Sequence, residues 1–339
     1  MVKVSFPHIA NYYIPVNILL SNILNCEIIV PPRITHKTIE LGTKYSPDYI
    51  CTPFKYTLGS FLEVEPDIAL QLGGGCKYGY YFELQQEILK NQGYKTKIIN
   101  LISKGKFDYK KIKNEYKDFD HKNILKTFYY LFLSIQIMKK MDEIENKIRQ
   151  NYTKELEKKY ENYLNKIKDE KSIINFNIKT RKMKKEIKPQ KKKIKIAIIG
   201  ELYTLMEPYS NFNLEKLLLE KGVSITRNTN ATYLLFKKKK RIKKMIKKSS
   251  YIDSMMGSDA SDNICLTEKY CKEQYDAIIH IKSSFCTPEI AAMPIISKIC
   301  KDFNIPLVML SFDTNTSETG IITRIEALID LIEMRKTNV

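Results

Sequence analysis

Ile68-Ala69-Leu70-Gln71-Leu72-Gly73-Gly74-Gly75-Cys76-Lys77-Tyr78-Gly79-Tyr80-Tyr81 is the stretch that decides the fold class of this chain. A largely apolar run of strand length ends in three glycines, a cysteine and an aromatic segment, which then passes into the helical spacing of Leu84, Ile88 and Leu89. Strand, loop, cysteine, helix is the order expected at the carboxyl end of a strand in a parallel sheet. Cys51 and Cys286 stand in the same kind of place, each after a short apolar run and before a Pro-containing turn. These three distant loops are expected to converge on one thiolate-lined site.

Outward from that stretch, residues 1–117 read as an α/β lobe. Val2 to Ser5 and the β-branched run Cys26 to Val30 have strand character, and Ile14 to Leu24 is an apolar helix. A polar segment through Ile39, Glu40, Leu41 and Gly42 leads to Asp48-Tyr49-Ile50-Cys51, after which Pro53 suits the first turn of a helix. Tyr94 to Ile102 supplies a further strand. Residues 118–193 change character to a long, charged, basic helical connector, with Ile124, Phe128, Leu131, Ile135, Met138 and Met141 at helical spacing. Residues 194–339 return to the α/β pattern, with strands at Ile194 to Gly200, Val223 to Thr226, Asp276 to Ile281 and Pro306 to Ser311. The predicted architecture is therefore α/β: two flavodoxin-like or Rossmann-like parallel-sheet lobes joined by the connector.

A chain of 339 residues exceeds one ordinary small core, in keeping with two such domains. The formal charge of +19 is unevenly placed: residues 121–193 carry about +12 and the run 237–248 carries +9, leaving the lobes near neutral. Without an RNP, zinc-finger or helix-turn-helix signature, this charge argues against nucleic acid as the main partner and reads as a solvated connector plus one basic surface loop. No charged leader with a long apolar stretch opens the sequence, and the most apolar window, Phe128 to Met138, is about half a membrane span. Seven cysteines, an odd number, fit reduced thiols in a cytoplasmic protein that does not engage a membrane.

Chemistry then rests on the thiols. Cys26, Cys265, Cys271 and Cys300 fall in strand or helical patterns, where cysteine is usually a small buried hydrophobe. Cys51, Cys76 and Cys286 lie in loops next to helix N-termini, which favour the thiolate. No CxxC pair occurs, which argues against zinc ribbons, thioredoxin-type motifs and ferredoxin-type runs. Three separated thiolates fit a [4Fe–4S] cluster with its fourth iron open or otherwise ligated. Unrelated loop cysteines fit the same pattern, and a catalytic cysteine paired with His280 is a further option. The glycines form no P-loop, and Gly200 stands without the rest of a dinucleotide fingerprint.

Several ordered segments resemble a known family: Ile34-Thr35 through Glu40-Leu41-Gly42, Ser46-Pro47, Cys51-Thr52-Pro53-Phe54-Lys55, and Gly75-Cys76-Lys77-Tyr78-Gly79-Tyr80-Tyr81 with Gln85. In the second lobe they are Gly200-Glu201-Leu202-Tyr203, Glu207-Pro208 with Asn211, Cys286-Thr287-Pro288-Glu289, Ser311-Phe312-Asp313 and Thr323 to Ala327. Together they resemble the 2-hydroxyglutaryl-CoA dehydratase D-component-like family, which includes short stand-alone members of the acyl-CoA dehydratase activase-related or CoA protein activase type. The resemblance implies flavodoxin-like lobes with an oxygen-sensitive [4Fe–4S] cluster held by cysteines between them, in an anaerobic setting. It implies as partner a separate ATPase of the actin-like fold that delivers a low-potential electron, and it allows a larger sister subunit. The protein would relay that electron to a substrate or to the sister subunit, as part of a radical dehydratase-type lyase or of a reductase. Carried over residue by residue, Cys51, Cys76 and Cys286 become the ligand candidates. Lys55, Lys77, Glu201, Tyr203, Glu207, Asn211 and Glu289 match pocket or supporting positions, where capping and loop packing are the competing roles.

The sequence also departs from the family. Asp313-Thr314-Asn315-Thr316-Ser317-Glu318-Thr319-Gly320 stands where relatives often carry an Asp-Glu-His-Thr-Gly-Glu-Ala-Gly-like loop, so a His and a Gly are lost. Gly-Pro-Cys-Arg becomes Gly74-Gly75-Cys76-Lys77, which keeps the charge. From its length, the chain is expected to lack the added domain of a full dehydratase subunit. The rival class is a cluster-free α/β scaffold or interaction protein, with nucleic-acid binding through residues 237–248 a more distant third.

Overall fold

The computed structural model describes residues 1–73, 75–103, 106–107, 124–187 and 194–337. Gly74, the boundary at 117/118 and the lysines at 191–193 lie outside them. The chain divides into two compact units, Met1–Gln136 and Ile137–Val339.

In the first unit, strands β1 (Lys3–Ser5), β2 (Glu27–Ile28), β3 (Ile68–Gln71) and β4 (Lys97–Asn100) form an all-parallel sheet in the order β2-β1-β3-β4. Parallel strands need crossovers, and helix α1 (Tyr13–Ile23) supplies the first of them. Its Leu20, with Leu24 just beyond it, packs on Val4, Ile68, Leu70 and Ile99 of one sheet face, and Cys26 joins the rim of this apolar cluster. Burial of such β-branched and leucine side chains stabilises the unit by roughly 1.5–3 kcal/mol each.

The connection from β2 to β3 holds two helices, α2 (His36–Tyr45) and α3 (Thr52–Val64). Here the structure corrects an expectation: Cys51 does not end a strand but sits in the short link between α2 and α3. Thr35 and Thr38 form a capping box that commits 36–45 to helix, and β1 pairs directly with β3, so no strand precedes Cys51. Two glycines let these helices touch backbone to backbone. A Cβ on Gly42 would lie 1.9 Å from the Lys55 carbonyl oxygen, and one on Gly59 would lie 1.9 Å from that of Thr38. Helix α4 (Tyr81–Asn91) follows β3 through the cysteine loop, and β4 is followed by a small antiparallel pair, β5 (Ile102–Ser103) with β6 (Lys106–Phe107).

The basic segment after it folds as helices α5 (Ile124–Gln150), α6 (Lys154–Leu164) and α7 (Glu170–Glu186), and from Ile137 onward it belongs to the second unit. Buried ion pairs fasten it there. Arg149 meets Glu145 at 3.2 Å and Glu215 at 2.8 Å, and Arg227 meets the other Glu215 oxygen at 3.0 Å. The second sheet repeats the first: β7 (Lys195–Gly200), β8 (Ser224–Thr226), β9 (Ala277–Ser283) and β10 (Leu307–Phe312) are parallel in the order β8-β7-β9-β10. Short helices α8 (Leu202–Met206) and α9 (Leu214–Glu220) lead from β7 to β8.

After β8 the structure makes a second correction. The lysine run expected as a surface loop is largely helix α10 (Lys238–Ile246), because Ile242 and Ile246, one turn apart, are buried in the core and no Gly or Pro interrupts the run. Helices α11 (Ala260–Lys272), α12 (Thr287–Asp302) and α13 (Glu318–Thr337) complete the unit. Cys265, Cys271 and Cys300 lie in its apolar cluster with Ile199, Ile264, Ile278 and Ile296. Among the described residues no helix is long and apolar enough to cross a membrane.

The glycine contact between α2 and α3 sets where Cys51 sits. Gly42→Ala or Gly59→Ala should force the two helices apart and cost about 1–3 kcal/mol in a denaturant titration. A midpoint unchanged from the parent would contradict this packing.

Candidate functional site

Both sheets have their second and third chain-order strands on opposite sides of the first. This places a topological switch point between β1 and β3 in one unit and between β7 and β9 in the other. The loops beyond those carboxyl ends carry Cys76 in the first unit and Glu201 and Cys286 in the second, whereas Cys51 lies in the link between α2 and α3.

In the first unit, Cys51 caps the N-terminus of α3 with extended backbone, Pro53 follows in the first turn, and the residue is 7% exposed. Its Sγ lies 2.9 Å from the Tyr81 hydroxyl. Cys76, half-buried, caps the 3-10 turn Lys77–Tyr80, and its Sγ accepts the Tyr78 N–H at 3.4 Å. Tyr81 is seated by edge contacts with Phe54 at 4.9 Å and Tyr78 at 5.3 Å between ring centroids. Burial pushes the Tyr81 phenol well above its ordinary range, with the Cys51 charge and hydrogen bond and then the Cys76 charge adding to the effect. Tyr81 therefore keeps its proton, and toward a Cys51 thiolate it is the donor.

Three amide side chains hold these loops. The Asn100 Oδ1 accepts the Gly73 N–H at 3.4 Å, and its Nδ2 donates to the Gly79 carbonyl at 3.2 Å, so one carboxamide spans the cysteine loop. Gln85, on α4, donates to the Phe54 carbonyl at 3.1 Å and to Thr57 at 2.7 Å, which locks α4 against the Cys51 helix. Gln86 tethers α4 to the sheet through the Ile98 N–H and the Thr96 carbonyl. Lys55, one turn after Cys51 on the same helix face, is only 5% exposed, and no ion pair or hydrogen bond to its ammonium is found among the described residues. Lys77 is exposed.

In the second unit, Cys286 repeats the arrangement of Cys51. It caps α12 with extended backbone, Thr287 and Pro288 follow, and it is 9% exposed. Glu289, one turn in, is fully buried and receives hydrogen bonds from the Asn263 Nδ2 at 2.9 Å, with His280 Nε2 2.7 Å from its Oε2. Asn263 also exchanges two hydrogen bonds with Gly200, at 3.2 and 3.0 Å. Gly200 has φ +145°, and a Cβ there would sit 1.8 Å from the Ile281 carbonyl oxygen, so only glycine fits. His280 thus belongs to a carboxylate–amide network and makes no hydrogen bond to a cysteine. Lys282, 5% exposed, donates to the Ser284 carbonyl at 3.3 Å; burial pulls its pKa down while the charges of Cys286, Glu289 and Asp313 oppose that.

The remaining candidates form a capping chain in this unit. Glu201 caps α8 through the Tyr203 and Thr204 N–H groups at 2.8 and 2.9 Å. Tyr203 is buried, Glu207 caps the next turn through the Tyr209 N–H at 3.2 Å, and Asn211 bridges the Thr204 carbonyl and the Leu214 N–H. Asp313 is held by the Ser284 hydroxyl at 3.0 Å and organises its own loop through Thr316 and Asn315.

The structure therefore brings Cys51 to the Tyr81 hydroxyl in one unit, where Cys76 lies in the loop that leads to the same helix, and in the other unit it sets Cys286 and Glu289 at the start of α12 after Lys282. Among the described residues no group of three or more His, Cys, Asp and Glu is gathered to hold a metal ion. Sequence reasoning missed Asn100, Asn263 and Lys282. Lys282 had a legible signal in its place four residues before Cys286, but the two asparagines are joined to their loops only by the fold.

A family profile described as 2-hydroxyglutaryl-CoA dehydratase, D-component, matches residues 95–332, well over half of the chain. A search of curated proteins gave no significant match.

Two outcomes follow from these geometries. Removing the donor with Tyr81→Phe should move the pH profile of Cys51 alkylation, read by peptide mass spectrometry, up by about one pH unit; an unmoved profile would mean that the phenol does not serve the thiolate. Burial raises the Glu201 carboxyl from 4.5 to about 7, against hydrogen bonds that lower it. Because the folded pKa lies above the unfolded one, stability falls as pH rises from about 4.5 to about 7 and stays reduced above. Glu201→Gln, which keeps an acceptor for the cap, should gain stability relative to the parent across that window. A difference that does not change with pH would contradict the assignment.

Proposed function

The chain belongs to the 2-hydroxyglutaryl-CoA dehydratase D-component family, and from that premise we propose that it is an iron–sulfur component of the family that carries a low-potential electron. At the coarser level it is a 2-hydroxyacyl-CoA dehydratase-like component. The observation that supports the finer reading is the hydrogen bond between the buried Cys51 sulfur and the Tyr81 hydroxyl, at the start of the helix that follows the Cys76 loop.

The donor chemistry of these residues fits a [4Fe–4S] cluster. Cluster ligands are thiolates, and each sulfur here is offered a hydrogen bond that favours that form, from the Tyr81 hydroxyl to Cys51 and from the Tyr78 N–H to Cys76. Cys286, the N-cap of α12 beside Lys282, is the third ligand in this reading. When bound, the cluster takes up and gives out one electron at a time.

The chain's own groups shape that site. Tyr81 keeps its proton and donates to a sulfur, which lowers the charge the sulfur presents and makes an added electron easier to hold. Lys55 and Lys282 bring positive charge near two of the cysteines, and Asn100 fixes the loop that carries the third. By family analogy the electron comes from an ATPase of the actin-like fold and passes to a substrate or to a larger sister subunit. Lys77, exposed next to Cys76 in sequence, would meet an acidic patch on such a partner in this reading.

Anaerobic reconstitution with iron and sulfide tests this directly. Close to four irons per chain are expected, and Cys51→Ser, Cys76→Ser and Cys286→Ser should each lower that content, whereas Cys26→Ser and Cys300→Ser should not. Iron below about one per chain would sink the cluster, and equal losses in both groups of variants would sink the ligand assignment.

A further inference from the structure

Helix α10 is a surface that the iron–sulfur reading does not use. The run Lys237 to Lys248 holds eight lysines and one arginine without an acidic residue. At 3.6 residues per turn, Lys240, Lys243, Lys244 and Lys247 fall within about 100° of arc, opposite Ile242 and Ile246. All four are exposed, and Lys237, Lys239 and Lys248 extend the charged face. Among the described residues none of these seven lysines has an ion pair or a side-chain hydrogen bond.

The helix beneath that face is held firmly. Ile242 and Ile246 lie in the core cluster with Ile264 and Tyr270. Lys238 turns inward to an ion pair with Asp259, and Arg241 sits over the Tyr233 ring at 5.4 Å. The Tyr233 hydroxyl in turn donates to Asp262 at 2.5 Å. The only arginine of the run is thus taken into the fold, and the outward face is all lysine. Leu235 and Phe236 stand exposed at its N-terminal end, with the Lys139 ammonium 5.3 Å from the Phe236 ring centroid.

We propose that this face is a binding surface for the phosphate backbone of nucleic acid, engaged without sequence reading. Fixed rows of lysines supply point charges that replace condensed counterions, the contact that dominates non-specific nucleic-acid binding. Its apolar side is packed into the core, and its outward face presents lysine ammonium groups with no Asn, Gln or outward-facing Arg, so it meets phosphates rather than base edges. The same packing argues against a membrane, since an interfacial helix must bury its apolar side in lipid, and only Leu235 and Phe236 are available here. A protein partner fits less well, because protein interfaces are depleted in lysine and rely on arginine and aromatic anchors. Phe236, half-exposed, offers a ring face on which an unpaired base can stack.

Fluorescence anisotropy of the full chain with a labelled single-stranded oligonucleotide, and with its duplex, tests the proposal over a salt series. The variant Lys240→Gln/Lys243→Gln/Lys244→Gln/Lys247→Gln should bind at least ~10-fold more weakly, and the slope of log affinity against log salt should shrink by about 3. A control carrying the same charge change on α6 and the turn after it, Lys154→Gln/Lys158→Gln/Lys166→Gln/Lys168→Gln, should stay within about twofold of the parent. All eight positions are exposed, so both proteins are expected to fold; circular dichroism checks that. Equal losses in the two variants would mean that net charge alone is read. Salt-independent binding, or retention on vesicles of anionic phospholipid with none on the oligonucleotides, would overturn the proposal as well. None of these readings depends on iron, so the cluster and this surface stand or fall separately.

Discussion

One carboxamide at the carboxyl edge of each sheet holds the loops on which the rest of the site depends. Asn100 ties the Gly73 N–H to the Gly79 carbonyl and so fixes the path of the Cys76 loop. Asn263 does the equivalent in the second unit, gripping both backbone groups of Gly200 while its Nδ2 faces the buried Glu289. Parallel strands end in backbone groups that no neighbouring strand satisfies, and burying them unpaired costs about 1–3 kcal/mol each. A side chain that is both donor and acceptor answers that need in a very small space. The loops it fixes can then present thiols and lysines in defined places.

The two units treat cysteine in two ways. Cys51 and Cys286 each open a Cys-Thr-Pro turn at a helix N-terminus, where the helix dipole favours negative charge, and each has a buried lysine four residues away. Cys265 sits in apolar surroundings, where burial pushes its thiol up to about 12. Cys300 is pushed up further by its contact with Cys271 and by burial. Those thiols stay protonated and act as small hydrophobes. Backbone position thus separates the cysteines at helix N-termini from those packed in the core, and the family match, over residues 95–332, takes in Cys286.

Much of this was legible in the sequence. Runs such as Ile194 to Gly200 and Asp276 to Ile281 are apolar on both faces, which only a covered parallel strand requires, and both folded as read. The fate of Asp48 to Cys51 was not legible, because a short apolar run looks alike in a strand end and in a helix–helix link; the Thr35 capping box and the glycine contact between Gly42 and Lys55 decided it. The lysine run hid its helix for a related reason. Two isoleucines among so many charges carry little periodic signal, and only their burial in the core reveals the pattern. The Asn263–Glu289–His280 network joins residues that the fold alone makes neighbours. Tyr81 was visible as part of an aromatic segment, but its meeting with Cys51, thirty residues earlier in the chain, is a tertiary fact.

The central proposal, that Cys51, Cys76 and Cys286 together hold a single [4Fe–4S] cluster, is addressed most directly by native mass spectrometry of the intact, anaerobically reconstituted chain. The account predicts one dominant adduct with the mass of four irons and four sulfides, which disappears when any of the three cysteines is replaced by serine. A spectrum showing only the bare chain, or an adduct that survives all three replacements, would contradict it.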